Sequence, residues 1–346
     1  MKFLKTKIVL IFLILLNSCS KEETLIENGI LSRYFYVVFK YNPQKIQLLE
    51  LPSGKILDED VFYTANGKSL DFVTQIAEFR GYIYFIQPKI YKVTIAKAEN
   101  LKVVAELDWG QEKITPSSIA FINATTGFIS FSDTGVVKVL DLLNFNTPFS
   151  ITTSFKLSVL DIYQHYVLGL SSLDGNLVVL DSRTYSVDKN QSVGDFPLTL
   201  SSSLELNKVY ILIAGKGKFD STQQKTPAKL VVLDVPNFTK TTEVELNVGD
   251  TDSKSIVPTG IVVSGRYFGY VSTLSGLLRF SLVNPSQFQR YIAGEFFNMQ
   301  YDYKRDEIIA LSKVGNTTII YLINPNNAGI KSKFTINDEL TLVFPK

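Results

Sequence analysis

The sequence predicts an all-β protein, a seven-bladed β-propeller of four-stranded blades whose ring is closed by the C-terminal strand. A short apolar run ending in a polar residue, best seen at residues 229–234, recurs along the chain. Aligned on Asp234, its copies end at Glu50, Thr94, Asp141, Asp181, Asp234, Ser281 and Ile323. Their spacings are 44, 47, 40, 53, 47 and 42 residues. A period in the forties, rich in β-branched and aromatic residues, is typical of propeller blades, which cannot bury their faces alone.

The first two units contain alternating runs of strand-forming residues and turn residues. In the first unit, residues 33–39, 45–50 and 55–57 predict three strands, and the turn-rich segments 40–44 and 52–54 separate them. In the second unit four strands are predicted at residues 72–77, 82–86, 90–95 and 101–107. No stretch has a sustained apolar period of 3.6 residues, so helices should be nearly absent.

The remaining units repeat this plan. The third unit has strands at residues 118–121, 128–131 and 136–141, and the fourth has a strand that starts at His165 and another at 176–181. Later strands are predicted at 209–214, 229–234, 260–263, 267–272, 276–281, 298–301, 307–311 and 318–323. Asp and Gly in the connections at 133–135 and 174–175 supply the φ values that tight hairpins require.

The two ends of the repeat region predict how the ring closes. The first unit lacks an innermost strand, and residues 339–344 form an unassigned strand of suitable length. We expect this C-terminal strand to become the innermost strand of the first blade, which removes open sheet edges.

The N-terminus carries an export signal. Lys2, Lys5 and Lys7 precede nine apolar residues at 8–16, a run too short to span a bilayer. Residues 16–19 resemble a bacterial lipobox, in which the cysteine is acylated and becomes the first mature residue. This resemblance implies a lipoprotein signal peptide at 1–18 and lipidation of Cys19. It also implies a flexible tether at 19–30, a single propeller domain at 31–346 and anchoring in the outer membrane.

Composition excludes several classes of function. The signal contains three of the 35 basic residues and none of the 33 acidic ones, which leaves a mature chain with a formal charge of −1. A near-neutral chain without basic clusters does not fit nucleic-acid binding. Cys19 is the only cysteine, so disulfides cannot form within the chain.

Few residues point to catalysis. His165 is the only histidine, so a zinc or copper site based on His and Cys cannot be assembled, and a Ser-His-Asp triad could use only His165. We interpret residues 250–253 as a solvated turn, because a calcium loop would need a Gly and a terminal Glu. Carboxylates are numerous, but their pairing cannot be read from sequence. We therefore predict no catalytic residue, no metal and no cofactor.

Propeller topology places the candidate ligand-binding residues on one face. Loops that leave each outer strand, and those that join second to third strands, open on the same face around the central channel. The candidates there are Phe62, Asn66, Trp109, Gln111, Asp133, Asp174, Phe196, Lys216, Lys218 and Phe219, with Tyr63, Lys113, Asp195, Asp250 and Asp252 beside them. Trp109 is either a structural plug or an aromatic platform for a ligand. The insertion at 215–227 is long for a hairpin connection, and such loops are often functional.

The repeats resemble the YVTN or YncE-like β-propellers, the surface-layer-like group whose units end in a strand of the form x-V-x-V-I-D. Residues 136–141, 176–181 and 229–234 carry this motif best, and residues 60–70 look like a segment of lipid-anchored members from diderm bacteria. The resemblance implies binding of a small molecule or a partner protein at the cell surface. It further implies that the protein captures cobalamin and passes it to a TonB-dependent transporter. An extracellular lyase or hydrolase, or a structural scaffold, are the alternatives.

Overall fold

The computed structural model describes residues 26–27, 30–31, 33–219, 224–247, 252–264 and 267–346. Their strands form seven four-stranded antiparallel sheets that correspond to the seven predicted units. The protein is therefore a seven-bladed β-propeller. The predicted signal peptide, Cys19 and Asp250 lie outside the described residues, as does most of the predicted tether.

The first blades contain the following strands, given in chain order. A two-stranded sheet precedes them and consists of β1 (Ile26–Glu27) and β2 (Ile30–Leu31). The second, third and outer strands of blade 1 are β3 (Arg33–Phe39), β4 (Gln47–Leu51) and β5 (Lys55–Asp58). Blade 2 consists, from the channel outwards, of β6 (Gln75–Phe79), β7 (Tyr82–Gln87), β8 (Lys92–Lys97) and β9 (Val103–Asp108). Blade 3 consists of β10 (Pro116–Phe121), β11 (Thr126–Phe131), β12 (Val136–Asp141) and β13 (Asn146–Thr152).

The later blades follow the same order. Blade 4 consists of β14 (Val159–Tyr163), β15 (Tyr166–Ser171), β16 (Asn176–Asp181) and β17 (Ser186–Ser192). Blade 5 consists of β18 (Pro197–Ser203), β19 (Lys208–Ile213), β20 (Lys229–Asp234) and β21 (Thr239–Glu245). Blade 6 consists of β22 (Pro258–Val263), β23 (Phe268–Thr273), β24 (Gly276–Ser281) and β25 (Phe288–Ile292). Blade 7 consists of β26 (Glu295–Asp302), β27 (Glu307–Val314), β28 (Thr317–Ile323) and β29 (Ile330–Ile336), and β30 (Leu340–Pro345) follows it.

Helical structure within the described residues is limited to helix α1 (Val61–Asn66) and a 3₁₀ turn at Pro88–Ile90. The side chain of Asp60 begins α1, because its Oδ1 accepts a hydrogen bond from the Tyr63 N–H at 3.0 Å. Gly67, with φ +70°, ends the helix in the left-handed conformation. In the described part of the chain, no helix has the length and apolar character needed to cross a membrane.

The hydrophobic core is divided among the spaces between neighbouring blades. Second and third strands are buried on both faces, as in β19, where every residue from Val209 to Ile213 is buried. Successive side chains of a strand point to opposite faces, so each such strand packs against two neighbouring blades. The described core accordingly forms seven apolar clusters, one at each junction between blades.

The repeated aspartates cap turns by accepting a hydrogen bond from the backbone N–H two residues later, where that N–H exists. Oδ1 of Asp141 accepts from the Leu143 N–H at 2.8 Å, and Oδ1 of Asp181 accepts from the Arg183 N–H at 2.8 Å. Asp234 departs from this pattern because the residue two positions later is Pro236, which has no N–H to donate. Its carboxylate lies 3.6 Å from the Lys208 ammonium instead.

The C-terminal strand closes the ring as predicted. β30 pairs antiparallel with β3, and Val37 lies opposite Val343 in the ladder. The sheet order β30-β3-β4-β5 makes β30 the innermost strand of blade 1. Leu340 and Val343 enter the apolar cluster between blades 7 and 1, so the first and last units of the sequence share one core.

A charged cluster links the first blade to the last. The Arg33 guanidinium, at the start of β3, donates to Oε1 of Glu307 in blade 7 and lies 3.9 Å from Oδ2 of Asp302. Arg305 pairs with Asp302 at 3.1 Å, and Lys331 lies 3.6 Å from Glu307. Both carboxylates are nearly inaccessible, with side-chain exposures of 2% and 4%. We call these five residues the closure cluster.

Hydrogen bonds link the innermost strands of neighbouring blades, which form the wall of the central channel. The Oγ of Ser118 accepts from the Leu160 N–H at 3.0 Å, which links blade 3 to blade 4. In the same way, the Oγ of Ser201 accepts from the Val263 N–H at 3.0 Å and links blade 5 to blade 6. The N–H groups of Leu160 and Val263 lie on innermost strands, which have no further strand on their channel side. The serines of the preceding blades therefore provide their hydrogen-bond acceptors.

Candidate functional site

The predicted binding face, here the upper face, contains the connections between second and third strands and those from each outer strand to the next blade. Backbone hydrogen bonds join these two sets of loops. The Trp109 N–H donates to the Tyr91 oxygen at 2.9 Å, and the Gly215 N–H donates to the Asp195 oxygen at 3.0 Å. The opposite, lower face carries the connections from first to second and from third to outer strands.

Of the candidates on α1, Phe62 is buried, Asn66 is half-buried and Tyr63 is exposed, and their ligand-binding role stays a prediction. Phe62 is 0% exposed and packs edge to face against Phe85 with ring centroids 5.5 Å apart. The Asn66 amide donates to the Phe62 and Leu101 oxygens and accepts from the Val103 N–H, all within 3.0 Å. Phe62 packs against blade 2 through its apolar ring, and Asn66 forms hydrogen bonds with the backbone of the same blade. Both side chains therefore attach α1 to blade 2.

The aromatic candidate of the second connection is also buried. Trp109 is 4% exposed and packs edge to face on Phe131 at 5.0 Å, so it forms the plug that was one of its two predicted roles. The Asp133 carboxylate accepts from the Thr115 N–H at 2.9 Å and caps the neighbouring loop. Gln111 is exposed at the loop surface.

Asp174 has a local structural role. Its Oδ2 accepts from the Ser171 hydroxyl at 2.6 Å across the turn. The next residue, Gly175, has φ +71°, and a Cβ there would lie 2.7 Å from the Gly194 oxygen. The turn therefore requires glycine directly after Asp174.

Five of the predicted residues are brought together by the long connection of blade 5. The rings of Phe196 and Phe219 stack with centroids 5.4 Å apart and an interplanar angle of 26°. Beside them Lys216 lies 3.4 Å from Asp195, and Lys218 donates to the Thr226 oxygen of the same loop. We call Asp195, Phe196, Lys216, Lys218 and Phe219 the blade 5 cluster.

The blade 5 cluster presents both apolar and charged surface to solvent. Phe219 is 47% exposed although its ring is stacked, and the Lys216 side chain is 48% exposed. Gly215, with φ +79°, allows the loop to turn here, since a Cβ would collide with the Thr226 oxygen. The ligand-binding role of the cluster stays a prediction.

A cleft of about 360 Å³ adjoins the blade 5 cluster. It is lined by Ser192, Val193, Gly194, Asp195, Ile213, Thr226, Pro227, Lys229, Lys240 and Glu243. Glu243 accepts from Lys229 at 2.7 Å and from Lys240 at 2.6 Å. These hydrogen bonds, that of Lys229 first, hold the pKa of Glu243 below its usual range. The cleft thus holds a balanced group of charges beside an aromatic pair.

A larger cavity of about 640 Å³ opens on the lower face. Its lining comes from the ends of the innermost strands of blades 4 to 7, from the turns that follow them and from the turn between β28 and β29. The lining residues are Ile162, Gln164, Ser202, Ser203, Leu204, Glu205, Val263, Ser264, Tyr301, Asp306 and Asn326. We call this cavity the lower mouth. Its residues were absent from the predicted site, because the sequence argument selected the opposite set of loops.

Asp161 is a half-buried carboxyl in the channel wall next to the lower mouth. It precedes Ile162 on β14, and its Oδ1 accepts the Ile162 N–H at 2.8 Å. Desolvation raises its pKa from 3.8 to about 6, and the hydrogen bond opposes this only in part. The native protein therefore binds a proton at Asp161 more tightly than the unfolded chain does.

We expect Asp161→Asn to raise the free energy of unfolding at pH 7.5 by about 3 kcal/mol, since the pKa of Asp161 is raised from 3.8 to about 6 and one pKa unit corresponds to about 1.4 kcal/mol. A carboxyl with a raised native pKa loses stability as pH rises from about 4 to about 6. The gain should therefore vanish near pH 4, where Asp161 is protonated in the native protein. Urea unfolding at both pH values measures it, with the exposed Asp188→Asn as control. Equal urea midpoints for wild type and Asp161→Asn at pH 7.5 would contradict the expectation.

The single histidine lies on the lower face, in the turn before β15. Its ring packs against Tyr166 with centroids 4.0 Å apart, and its Nε2 finds no hydrogen-bond partner among the described residues. Within the same described ranges, no group of three or more His, Cys, Asp or Glu side chains is placed to hold a metal ion.

Comparison with known proteins establishes the fold. The sequence matches no protein-family model and no curated protein. Among solved structures, a protein from Lactobacillus plantarum is similar with a TM-score of 0.68 and 12% identity, over 91% of this chain and 99% of that one. The Pan2 WD40 domain of Neurospora crassa is similar with a TM-score of 0.63 and 12% identity, over 87% of each chain. These likenesses agree with the blade arrangement described above, and the chain is a β-propeller.

Proposed function

We propose that this protein is a binding propeller that captures a ligand with its blade 5 cluster. The observation that carries the proposal is the exposed, stacked pair Phe196 and Phe219, with Lys216 and Asp195 beside it. A stacked ring pair offers a rigid apolar platform, and the flanking charges offer hydrogen bonds that orient a bound molecule. The adjoining cleft gives such a ligand a second surface to contact.

The ligand class that we propose is a corrinoid, handed to a TonB-dependent transporter from a lipid-anchored protein at the outer membrane. Its support is the resemblance of residues 136–141, 176–181 and 229–234 to surface propellers, and of residues 16–19 to a lipobox. A flat macrocycle with amide side chains suits an aromatic platform bordered by Lys216 and Asp195. Fractionation of cells that express either the full chain or its Cys19→Ser variant tests whether the protein is anchored in the outer membrane through Cys19.

Calorimetric titration of residues 31–346 with cyanocobalamin tests the proposal. We expect binding, and we expect Phe219→Ala to weaken it about tenfold, which corresponds to about 1.4 kcal/mol. Phe219 is half exposed, so its replacement should leave the fold intact. The loss would come from the stacked surface that the ligand covers.

Phe149→Ala is the matched control, because Phe149 is 60% exposed and stacks on Tyr185 at the rim of blade 3, away from the upper face. It should bind cyanocobalamin as the wild type does. A wild-type protein that gives no heat with cyanocobalamin at micromolar concentration would remove the corrinoid proposal. Equal affinity in Phe219→Ala would move the site away from the blade 5 cluster.

A further inference from the structure

The lower mouth is a second concave surface, on the face opposite the blade 5 cluster. Its volume of about 640 Å³ lies within the ~300–1,000 Å³ typical of small-molecule sites. Four blades supply its wall, so the cavity exists only in the closed ring. Its position at the end of the central channel leaves it open to solvent.

The side chains that line the lower mouth are suited to hydroxyl groups. The polar ones carry hydroxyls, amides or carboxylates, at Gln164, Ser202, Ser203, Glu205, Ser264, Tyr301, Asp306 and Asn326. Among the described lining residues none is Lys, Arg or His. Ile162, Leu204 and Val263 add apolar surface between the polar groups. Carboxylates and amides can each bind two ligand hydroxyls, and the carboxylates repel an anion.

Three of these polar residues are held in place before any ligand arrives. The Tyr301 hydroxyl donates to Oδ1 of Asp306 at 2.7 Å, and the Asn326 amide donates to Oδ2 at 3.1 Å. Burial and this carboxylate raise the pKa of Tyr301 to about 12, so its hydroxyl keeps its proton. Its ring is 37% exposed and can lie against the apolar face of a ligand.

One hydroxyl in the lower mouth lacks a partner. The Oγ of Ser264 is buried and finds no hydrogen-bond partner among the described residues, of which Gly265 and Arg266 are not part. By contrast, Ser202 donates to the Ile162 oxygen, and Ser203 accepts from the Leu206 N–H. A buried hydroxyl without a partner is costly, and a ligand hydroxyl would satisfy it.

From these contacts we infer that the lower mouth binds a neutral, hydroxyl-rich ligand, an oligosaccharide. The ligand's hydroxyls are bound by Asp306, Asn326 and Ser264, and the face of one sugar ring stacks on Tyr301. A sugar that carries a carboxylate binds less well, because the Asp306 carboxylate in the lining repels it. This inference goes beyond the corrinoid proposal and concerns a separate surface.

Titration of residues 31–346 with maltotriose, cellotriose and N,N′,N″-triacetylchitotriose, and with trigalacturonate as the anionic counterpart, tests the inference. At least one neutral trisaccharide should bind, and trigalacturonate should bind at least tenfold more weakly. Tyr301→Ala should weaken neutral binding at least tenfold, and Ser264→Ala about threefold. Far-ultraviolet circular dichroism and thermal unfolding establish that each variant is folded.

Two controls separate the lower mouth from other surfaces. Tyr303→Ala removes a tyrosine that is 64% exposed in the adjoining turn but does not line the cavity, and it should bind as the wild type does. Phe219→Ala, on the upper face, should also retain saccharide binding. The inference is overturned if none of the three neutral trisaccharides binds, if trigalacturonate binds as tightly, or if folded Tyr301→Ala and Ser264→Ala bind unchanged. A failure of cyanocobalamin binding leaves it standing.

Discussion

A chain that ends at Ile336 should lose its cooperative unfolding transition. The deletion removes β30, so β3 loses its ladder partner from Phe35 to Phe39 and presents an open edge near the channel. It also removes Leu340 and Val343 from the cluster shared by blades 7 and 1. The free energy of unfolding of a domain is only about 5–15 kcal/mol. We expect the loss of an innermost strand to remove most of this stability.

Urea unfolding followed by near-ultraviolet circular dichroism measures this effect. A chain that ends at Pro345 is the control, because it lacks Lys346 but retains all of β30. The control should unfold in one sharp transition close to that of the full body. If the chain ending at Ile336 shows the same native signal and an equally sharp transition, closure by the C-terminal strand does not stabilise the ring.

Replacement of Glu307 by Gln should lower the free energy of unfolding by about 3 kcal/mol, the lower end of the range for breaking a buried ion pair. The Glu307 side chain is 4% exposed and accepts from Arg33, which is itself only 17% exposed. Without the carboxylate, the guanidinium keeps one charged partner in the described part of the chain, the more distant Asp302. An under-compensated charge then remains at the junction of blades 7 and 1.

The matched control is Glu243→Gln, which removes a carboxylate paired with two lysines on outer strand surface. Its side chain is 35% exposed, and pairs of this kind contribute about 1 kcal/mol or less. Urea unfolding of both variants under the same conditions gives the comparison. Equal losses in the two variants would show that the closure cluster contributes no more than a surface pair.

The strands with strong local signals were predicted with their observed bounds. Residues 136–141, 176–181 and 229–234 form β12, β16 and β20 without any shift. The innermost strand of blade 2 was predicted at residues 72–77 but is observed at Gln75–Phe79. Innermost strands face the channel with mixed polarity, so alternation does not mark their ends as it does for a buried third strand.

The candidate site was predictable only in part. Loop length and composition identified residues 215–227, and the structure brings Phe219 of that loop onto Phe196. The same reasoning assigned Phe62 to the binding face, where its side chain is buried, and left Trp109 open between a plug and a platform, of which the structure shows the plug. Topology assigns a loop to a face, but the direction of a side chain depends on what it packs against.

The sequence by itself determined the number of blades, the four-strand plan and the closure of the ring. These features follow from local strand propensity, turn residues and a constant period, all of which can be read over short stretches. The tertiary structure alone decided that Ile162, Ser264, Tyr301 and Asn326 share one cavity. These residues are far apart in the chain, and they meet only because seven sheets close around one axis and bring the innermost strands and lower-face turns of neighbouring blades together.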